Sequence, residues 1–361
     1  MAALNDEQVM LRDMAREWAD NESPVTAYRK LRDAAVADGF GADAWREQGA
    51  MGWAGIVVPE EYGGSGFGWL SLGLVLEQLG RTLSASPLAA TASATAAIVL
   101  SDNADAKGAW LPKIASGEVI ATLAVDEGPR HDPAAIATKV DGGKLSGTKA
   151  FVAEGDSAGL FVVAAADGLY LVDGADAGLS RSSRNMADAR SHAEVTFKDA
   201  AAVKLGGTDL TAAACDRAAA AVMAEALGLA TAAFEQTNDY LKVRVQFGQT
   251  LSSFQALQHR MAKMFTELEL MRSVVEGAME AIDRAGDAID RPDVAQAVSL
   301  TKAVGGDTLK LVSREMVQLH GGIGMTDEHD AGFYLKRAAV LDAMWGNAAQ
   351  HRERFADLNN F

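Results

Sequence analysis

The sequence predicts an α+β protein in which a small β-domain separates two helical regions. Three observations support this fold class. Apolar residues recur at helical spacing up to about residue 118, short β-rich runs with Gly and Asp turns follow up to about residue 207, and helical spacing then returns. We therefore expect an N-terminal helical domain (1–118), a middle β-domain (119–207) and a C-terminal helical bundle (208–361).

The N-terminal region carries helical patterns interrupted by one loop. The segments from Gln8 to Trp18 and from Asp43 to Met51 each predict an amphipathic helix, and the segment from Leu70 to Gly80 predicts a longer, largely apolar one. Between the last two, the run from Val57 to Gly66 contains a proline and three glycines, so it is predicted to be a loop.

The middle region consists of short runs that favour strands, separated by turns such as Asp141–Gly143. The runs are Val119–Val125, Ile136–Val140, Lys144–Lys149, Leu160–Ala164, Leu169–Val172 and Ala193–Phe197. Four long helical patterns follow them, and such a set predicts an antiparallel bundle. These patterns cover residues 211–242, 252–286, 292–319 and 329–356.

Composition excludes several functional classes. The net charge of −16 argues against nucleic acid as the main partner, because phosphate binding needs clustered positive charge. The single Cys215 cannot form an internal disulfide and no Cys/His cluster has metal-ligand spacing, so we expect a cytoplasmic protein without a metal. No run of about 18 apolar residues occurs, so no membrane span is expected.

The most informative stretch connects the first two helices of the C-terminal region. It begins at Arg244 and contains two amides, Gln246 and Gln255, together with Phe247 and Gly248. An arginine presents a planar fork of donors that suits a phosphate group. A salt bridge at a helix end explains the same arginine equally well.

A second stretch, from Gln318 to Thr326, places three glycines in four positions after a helical pattern. Glycines such as Gly321 and Gly322 allow the backbone to approach a ligand closely, although a helix C-cap also uses glycine.

Together these two stretches resemble the acyl-CoA dehydrogenase family, which carries an R-x-x-F-G…Q…H run and a later Q-x-x-G-G-x-G run. The N-terminal run of Gly52, Trp53 and Pro59–Gly66 is similar to another family motif, so the resemblance covers essentially the whole chain. It implies a helical domain, a small β-barrel or sandwich and a four-helix bundle. It also implies FAD as cofactor, an acyl-CoA substrate and an electron-transfer flavoprotein as redox partner.

The resemblance assigns most candidate cofactor residues to the ADP half of FAD, held across a subunit interface. These residues are Arg244, Gln246, Phe247, Gln255, Gln318, Gly321 and Gly322. On the side of the flavin ring, Phe151 can still stack, but Ala153 lacks the hydroxyl that the family places there, and Asp126 adds a carboxylate where donors are expected. His131 and Lys149 are expected at the surface.

The family's catalytic base is missing from both of its usual positions. In many members a glutamate lies seventeen residues after the glutamate that matches Glu328, and Trp345 stands there in this chain. Other members carry the base on the first helix of the C-terminal domain, where this chain has Ala218. Glu225, two turns further along the same helical face, is the remaining candidate, with a structural carboxylate as the alternative.

Two further runs, His320–Asp330 and Trp345–Arg354, resemble the small subunit of two-gene acyl-CoA dehydrogenases, including those for pimeloyl-CoA and steroid side chains. The first hypothesis is therefore a β-subunit that completes the FAD site of an α2β2 enzyme. The second is a self-sufficient homo-oligomeric dehydrogenase with Glu225 as a relocated base. The third is a non-catalytic acyl-CoA-binding or scaffold protein.

Overall fold

The computed structural model describes residues 4–361. Six helices precede the first strand in this part of the chain. They are α1 (Asp6–Glu22), α2 (Val25–Asp33), α3 (Ala42–Ala50), α4 (Gly68–Arg81), α5 (Leu88–Leu100) and α6 (Ala104–Ala115). The predicted loop before α4 contains glycines at positive φ angles, such as Gly63 and Gly66.

The β-region is built from two four-stranded sheets. Its strands are β1 (Ala121–Ala124), β2 (Lys139–Asp141), β3 (Lys144–Ala153), β4 (Leu160–Ala165), β5 (Gly168–Asp173), β6 (Leu179–Ser183), β7 (His192–Ala201) and β8 (Val203–Gly206). One sheet has the order β1-β4-β5-β8 and the other β2-β3-β7-β6. Only the β1–β4 pair is parallel among these described strands.

The two sheets face each other across a shared apolar core. Phe161 of β4 meets Phe197 of β7 edge to face, with ring centroids 6.0 Å apart. The outer face of the first sheet packs against α5, α6 and the start of the next helix. Of the barrel or sandwich that was expected, the described strands form a sandwich, because the two sheets do not close on each other.

The C-terminal region contains α7 (Thr208–Val243), a two-residue hairpin of β9 (Val245–Gln246) and β10 (Gln249–Thr250), α8 (Gln255–Ala285), α9 (Pro292–His320), α10 (Ala331–Ala343) and α11 (Ala348–Leu358). The single helix predicted for residues 329–356 is therefore wrong. Trp345 and Gly346 adopt φ angles of +59° and +90°, which end α10, and Asn347 caps the start of α11.

The helices before and after the β-region share one apolar core, which includes Trp18, Leu72, Met223 and Leu309. Helices α4 and α7 cross within it at glycines. A Cβ atom on Gly80 would lie 2.0 Å from the Glu225 carbonyl oxygen, and one on Gly228 would lie 1.7 Å from the Glu77 carbonyl oxygen. These backbones approach so closely that only glycine fits at the crossing.

Helix α7 lies at the centre of this core. By length and composition alone it could cross a membrane, but 89% of its most apolar window is buried inside the protein. Its apolar character is thus accounted for by packing against α4, α8 and α9.

Candidate functional site

A cavity of about 170 Å³ opens between the β-sandwich and the end of α10. The β-sandwich contributes Asp126, Phe151 and Ala153 to its wall, and α10 contributes Met344 together with the following Trp345. The sequence thus folds so that the predicted ring-side residues and the predicted base position face the same space.

The position of Trp345 is fixed by the break between α10 and α11. His351 Nε2 donates a hydrogen bond of 2.7 Å to the Trp345 carbonyl oxygen, and the indole meets the His131 ring edge to face at 5.8 Å. Burial lowers the pKa of His351 to about 4, against the opposing effect of this bond, so the imidazole is neutral at physiological pH. An indole has one N–H donor and no acceptor, so Trp345 cannot remove a proton from carbon.

His131, in the loop before β2, and Lys149, in β3, are less exposed than the surface positions expected for them. His131 lines the cavity, and its Nδ1 lies 2.9 Å from the Asp126 carboxylate. Lys149 is fully buried, and its Nζ donates to Glu127 at 2.7 Å and to the Val125 carbonyl oxygen at 2.9 Å. The surface assignment of Lys149 is therefore wrong, because its ammonium group has a carboxylate partner inside the protein.

Phe151 occupies a strained position in β3. Its φ angle is +51°, at an irregularity where β3 shifts register against β7, and its side chain is 46% exposed towards the cavity. A β-bulge re-aims a side chain, and here it turns an aromatic face into the cavity while Val152 stays in the core.

Glu225 lies at the junction of the β-sandwich and the bundle, where Arg337 of α10 binds it. Arg337 donates to both carboxylate oxygens of Glu225 at 2.8 Å and to Asp188 at 2.7 Å. Burial alone would raise the pKa of Asp188, yet the Arg337 cation holds it below its ordinary value. The other candidate base position, Ala218, is fully buried. The Glu225 carboxylate is thus engaged as an ion-pair partner.

A second, smaller cavity of about 30 Å³ adjoins the first and shares Ala153, Met344 and Trp345 with it. Its wall also includes Glu154 and Arg190, which the sequence did not single out. Both side chains are ionisable, and both are buried. No pattern in the sequence marks them, because their burial depends on contacts with α5, α7 and α10.

The predicted phosphate-binding stretch forms the exposed hairpin of β9 and β10. Within residues 4–361 the Arg244 guanidinium group has no hydrogen bond or ion pair. Phe247 is 88% exposed at a φ angle of +53°, and its ring meets the Phe254 ring edge to face, with centroids 6.1 Å apart. Gln246 donates to the neighbouring Val245 carbonyl oxygen, and Gln255 is exposed at the start of α8.

The glycine run lies beside this hairpin. Tyr240, one turn before Arg244, stacks on His320 with ring centroids 4.4 Å apart, and its hydroxyl lies 3.4 Å from the His320 carbonyl oxygen. Gly321 and Gly322 follow, and a Cβ on either would meet no atom within 4 Å. The two motifs thus present free donors and open backbone on one surface.

The structure divides the predicted cofactor residues into two groups. Phe151 lines the cavity next to the β-sandwich, whereas the other group lies on the surface around the hairpin. That surface group consists of Arg244, Gln246, Phe247, Gln255, Gln318, Gly321 and Gly322. The hairpin surface also exposes apolar side chains, Val243, Val245, Ile323 and Met325 among them.

Two family models match the chain, one at each helical region. The family model "Acyl-CoA dehydrogenase, N-terminal domain" matches residues 5–118, and "Acyl-CoA dehydrogenase, C-terminal domain" matches residues 186–357. Acyl-CoA dehydrogenase IpdE2 of Mycobacterium tuberculosis is 32% identical over 92% of this chain and 91% of its own length.

Acyl-CoA dehydrogenase FadE34 of the same organism is 31% identical over 99% of this chain. The chain spans about half of that relative, 48% of its length. Among solved structures, one described as "Tcur3481-Tcur3483 steroid ACAD G363A variant" superposes with a TM-score of 0.91 at 29% identity, covering 98% of each chain.

Proposed function

The chain belongs to the acyl-CoA dehydrogenase family, and we propose that it is a subunit that supplies the ADP-binding side of an FAD site to a catalytic partner subunit. Members of this family are FAD-dependent oxidoreductases that act on acyl-CoA. The observation that carries the proposal is the exposed hairpin whose Arg244 side chain has no partner among the described residues, next to an open glycine run, in a chain whose base position holds Trp345.

The hairpin surface fits the ADP end of FAD in three respects. The Arg244 fork is free to bind the pyrophosphate with charge-assisted hydrogen bonds. The backbone at Gly321 and Gly322 leaves room for the adenosine to approach, and the Gln318 amide beside it has no partner within residues 4–361. Phe247 is already held with its ring exposed, so it can pack against the cofactor without reorganising.

Bound FAD supplies a hydride acceptor, and a carboxylate must remove the α-proton of the thioester. In this chain neither usual base position has a carboxylate, and Glu225 is engaged by Arg337. Both oxygens of this carboxylate accept from Arg337, so the ion pair would have to open before Glu225 could reach a substrate. These losses favour a base that comes from the partner subunit, so the self-sufficient enzyme with Glu225 as base is the less favoured alternative.

The surface around the hairpin also supports an assembly. Val243, Val245, Phe247, Ile323 and Met325 are exposed apolar side chains, and clustered apolar surface marks interaction sites. The assembly we propose is α2β2, with an electron-transfer flavoprotein to take up the electrons and a bulky acyl-CoA as substrate. The similar solved structure is described as a steroid ACAD and carries two protein names, Tcur3481 and Tcur3483, which agrees with a two-subunit enzyme and a bulky substrate.

The proposal is tested by FAD occupancy of the co-expressed complex. Arg244→Ala removes charge-assisted hydrogen bonds worth about 1.5–3 kcal/mol, which corresponds to a roughly 10- to 150-fold weaker FAD affinity. Lys242→Ala is the matched control, because it removes a positive charge two residues away that is paired with Asp239. Arg244→Lys keeps the charge and loses the fork, so it is expected to fall between the two.

Flavin absorbance of the chain expressed alone, and then with a partner dehydrogenase, separates the hypotheses. We expect flavin absorbance only after co-expression, at about one FAD per two chains. Full flavin in the chain alone, with bleaching by an acyl-CoA, would overturn the proposal in favour of a homomeric enzyme. A colourless complex with every partner would leave only the non-catalytic scaffold.

A further inference from the structure

A separate cavity of about 530 Å³ lies where the loop before α4, the end of α5, helix α7 and the end of α8 meet. None of the described residues in its wall also lines the two cavities at Trp345. Its volume is typical of small-molecule sites, which span about 300–1,000 Å³. We propose that this cavity binds an α-amino acid with an apolar side chain, with Arg217 as partner of the carboxylate and Asp287 as partner of the ammonium group.

The wall of this cavity contains a buried cation. Arg217 of α7 is 2% exposed, yet it has no carboxylate partner within residues 4–361. Its guanidinium group donates to two neutral acceptors, the carbonyl oxygens of Ala213 at 3.2 Å and of Gly286 at 3.3 Å. A guanidinium group carries more N–H donors than these two bonds use, so part of the fork stays free. A buried charge without a partner is costly, and a carboxylate supplied by a ligand would reduce that cost.

Asp216 and Asp287 are near enough to attract Arg217, but neither forms an ion pair with it. Burial lowers the pKa of Arg217, and these two aspartates oppose the shift. Asp216 is engaged elsewhere, because Arg354 donates to both of its carboxylate oxygens. Asp287 is exposed, and its carboxylate makes no hydrogen bond or ion pair among the described residues. The cavity wall therefore offers one cation and one anion that are both available to a ligand.

The other carboxylate in the wall is already used. Asp283 accepts from the backbone N–H of Trp69 at 2.6 Å and of Leu70 at 3.0 Å, so it caps the start of α4. Two aspartates and one arginine line this cavity, so a ligand that carries only an anion meets a surplus of negative charge. A ligand that carries only a cation leaves Arg217 without a partner. A zwitterion satisfies both free charges.

The positions of the two free charges favour an α-amino acid over a longer zwitterion. Arg217 donates to the carbonyl oxygen of Gly286, and Asp287 is the next residue after Gly286. Charges this close together suit a carboxylate and an ammonium group on the same carbon atom. The C-terminal end of α8 lies at this point, and the negative end of its helix dipole also favours the ammonium group near Asp287.

The rest of the wall is largely apolar, which suits an apolar ligand side chain. Phe67 is 49% exposed, so a ligand that covers it removes apolar surface from water. The apolar part of the wall includes Val57, Pro59, Phe67, Val99, Leu100 and Ile282.

Calorimetric titration of the purified chain with three probes of similar carbon skeleton tests the site. The probes are L-leucine, isocaproate, which lacks the ammonium group, and isoamylamine, which lacks the carboxylate. We expect leucine to bind at least ~10-fold more tightly than either of the other two, because each of them loses one charge-assisted hydrogen bond.

Asp287→Asn is expected to weaken leucine binding by about 10-fold or more, because the ammonium group loses its charged partner. Asp290→Asn is the matched control, since Asp290 is exposed in the same loop but lies outside the cavity wall. It should keep the leucine affinity within about 2-fold of the wild type. Arg217→Gln should weaken both leucine and isocaproate. Because Arg217 is buried, circular dichroism checks the fold of that variant, and the exposed Asp287 gives a test that does not depend on it.

Three results would each overturn the assignment. They are absence of leucine binding, leucine binding no tighter than that of isocaproate or isoamylamine, and a leucine affinity that Asp287→Asn changes no more than Asp290→Asn does. The titration needs no FAD and no partner subunit. Its failure is therefore distinguishable from failure of the proposed subunit role, which is measured by flavin occupancy.

Discussion

Replacement of Arg337 by methionine is expected to lower the free energy of unfolding by about 3–5 kcal/mol. The Arg337 side chain is only 12% exposed and binds two buried carboxylates, Glu225 and Asp188. Methionine keeps most of the side-chain volume but leaves both acids without their cation. The magnitude follows from the cost of breaking a buried ion pair on one side only, which exceeds the net stabilisation by the intact pair.

Urea unfolding of the intact chain measures this loss. Lys336→Met is the matched control, because Lys336 precedes Arg337 in α10 and is exposed. A surface change of this kind usually alters the unfolding free energy by less than about 0.5 kcal/mol. A loss in Arg337→Met within about 1 kcal/mol of the control would refute the view that this cluster is a structural element of the junction.

The pH dependence of the same loss gives an independent test. Arg337 outweighs burial and holds the pKa of Asp188 below its ordinary value, so the wild type keeps this stabilisation at neutral pH and loses it only in acid. Without Arg337, burial dominates and raises that pKa, so the variant gains stability as the pH falls. The difference between the two proteins is therefore expected to narrow from pH 7 to pH 5, and a difference that widens would contradict the reasoning.

Two further predictions concern packing and burial. Lys302 Nζ donates to the carbonyl oxygens of residues 341, 342 and 344, and burial lowers its pKa to about 7. The unfolded chain binds the Lys302 proton more tightly than the folded chain does. Above pH 7 the unfolding free energy of the wild type should therefore rise relative to that of Lys302→Met, by up to about 1.4 kcal/mol per pH unit. Urea midpoints of the two proteins that do not diverge between pH 7.5 and pH 9 would argue against this. Gly228→Ala should destabilise by several kcal/mol, because its Cβ would lie 1.7 Å from the Glu77 carbonyl oxygen. Gly277→Ala, with open space around it, should be neutral or stabilise α8 by up to about 1 kcal/mol. Urea unfolding of both variants measures the difference, and equal effects of the two changes would exclude the close crossing.

The sequence predicts those elements whose periodicity is strong. The helix expected from Leu70 to Gly80 spans Gly68–Arg81, and the strand expected from Leu160 to Ala164 spans Leu160–Ala165. Both are apolar over most of their length, so burial and local preference agree. The strand Leu179–Ser183 was not predicted because it lies at a sheet edge with mostly exposed polar residues, which leaves no alternating pattern to detect.

The predictions that failed concern residues whose surroundings come from distant parts of the chain. Lys149 is buried because Glu127 of a preceding loop meets it, and nothing near Lys149 in sequence announces that partner. The break at Trp345 requires a positive φ angle at a tryptophan, which local preference disfavours and which tertiary contacts such as the bond from His351 maintain. The role of the hairpin was predicted by resemblance and that of Glu225 from its helical spacing relative to Ala218, and both stay predictions.

The glycine crossing of α4 and α7 has a consequence for how the chain is made. Helix α4 leaves the ribosome well before α7, because the whole β-region is synthesised between them. Until α7 arrives, the narrow groove that Gly80 opens in α4 has no helix to fill it, and the apolar face of α4 stays exposed. Contacts of such long sequence separation form slowly. The nascent N-terminal helices therefore keep the part of their apolar surface that faces α7 exposed until α7 has been synthesised.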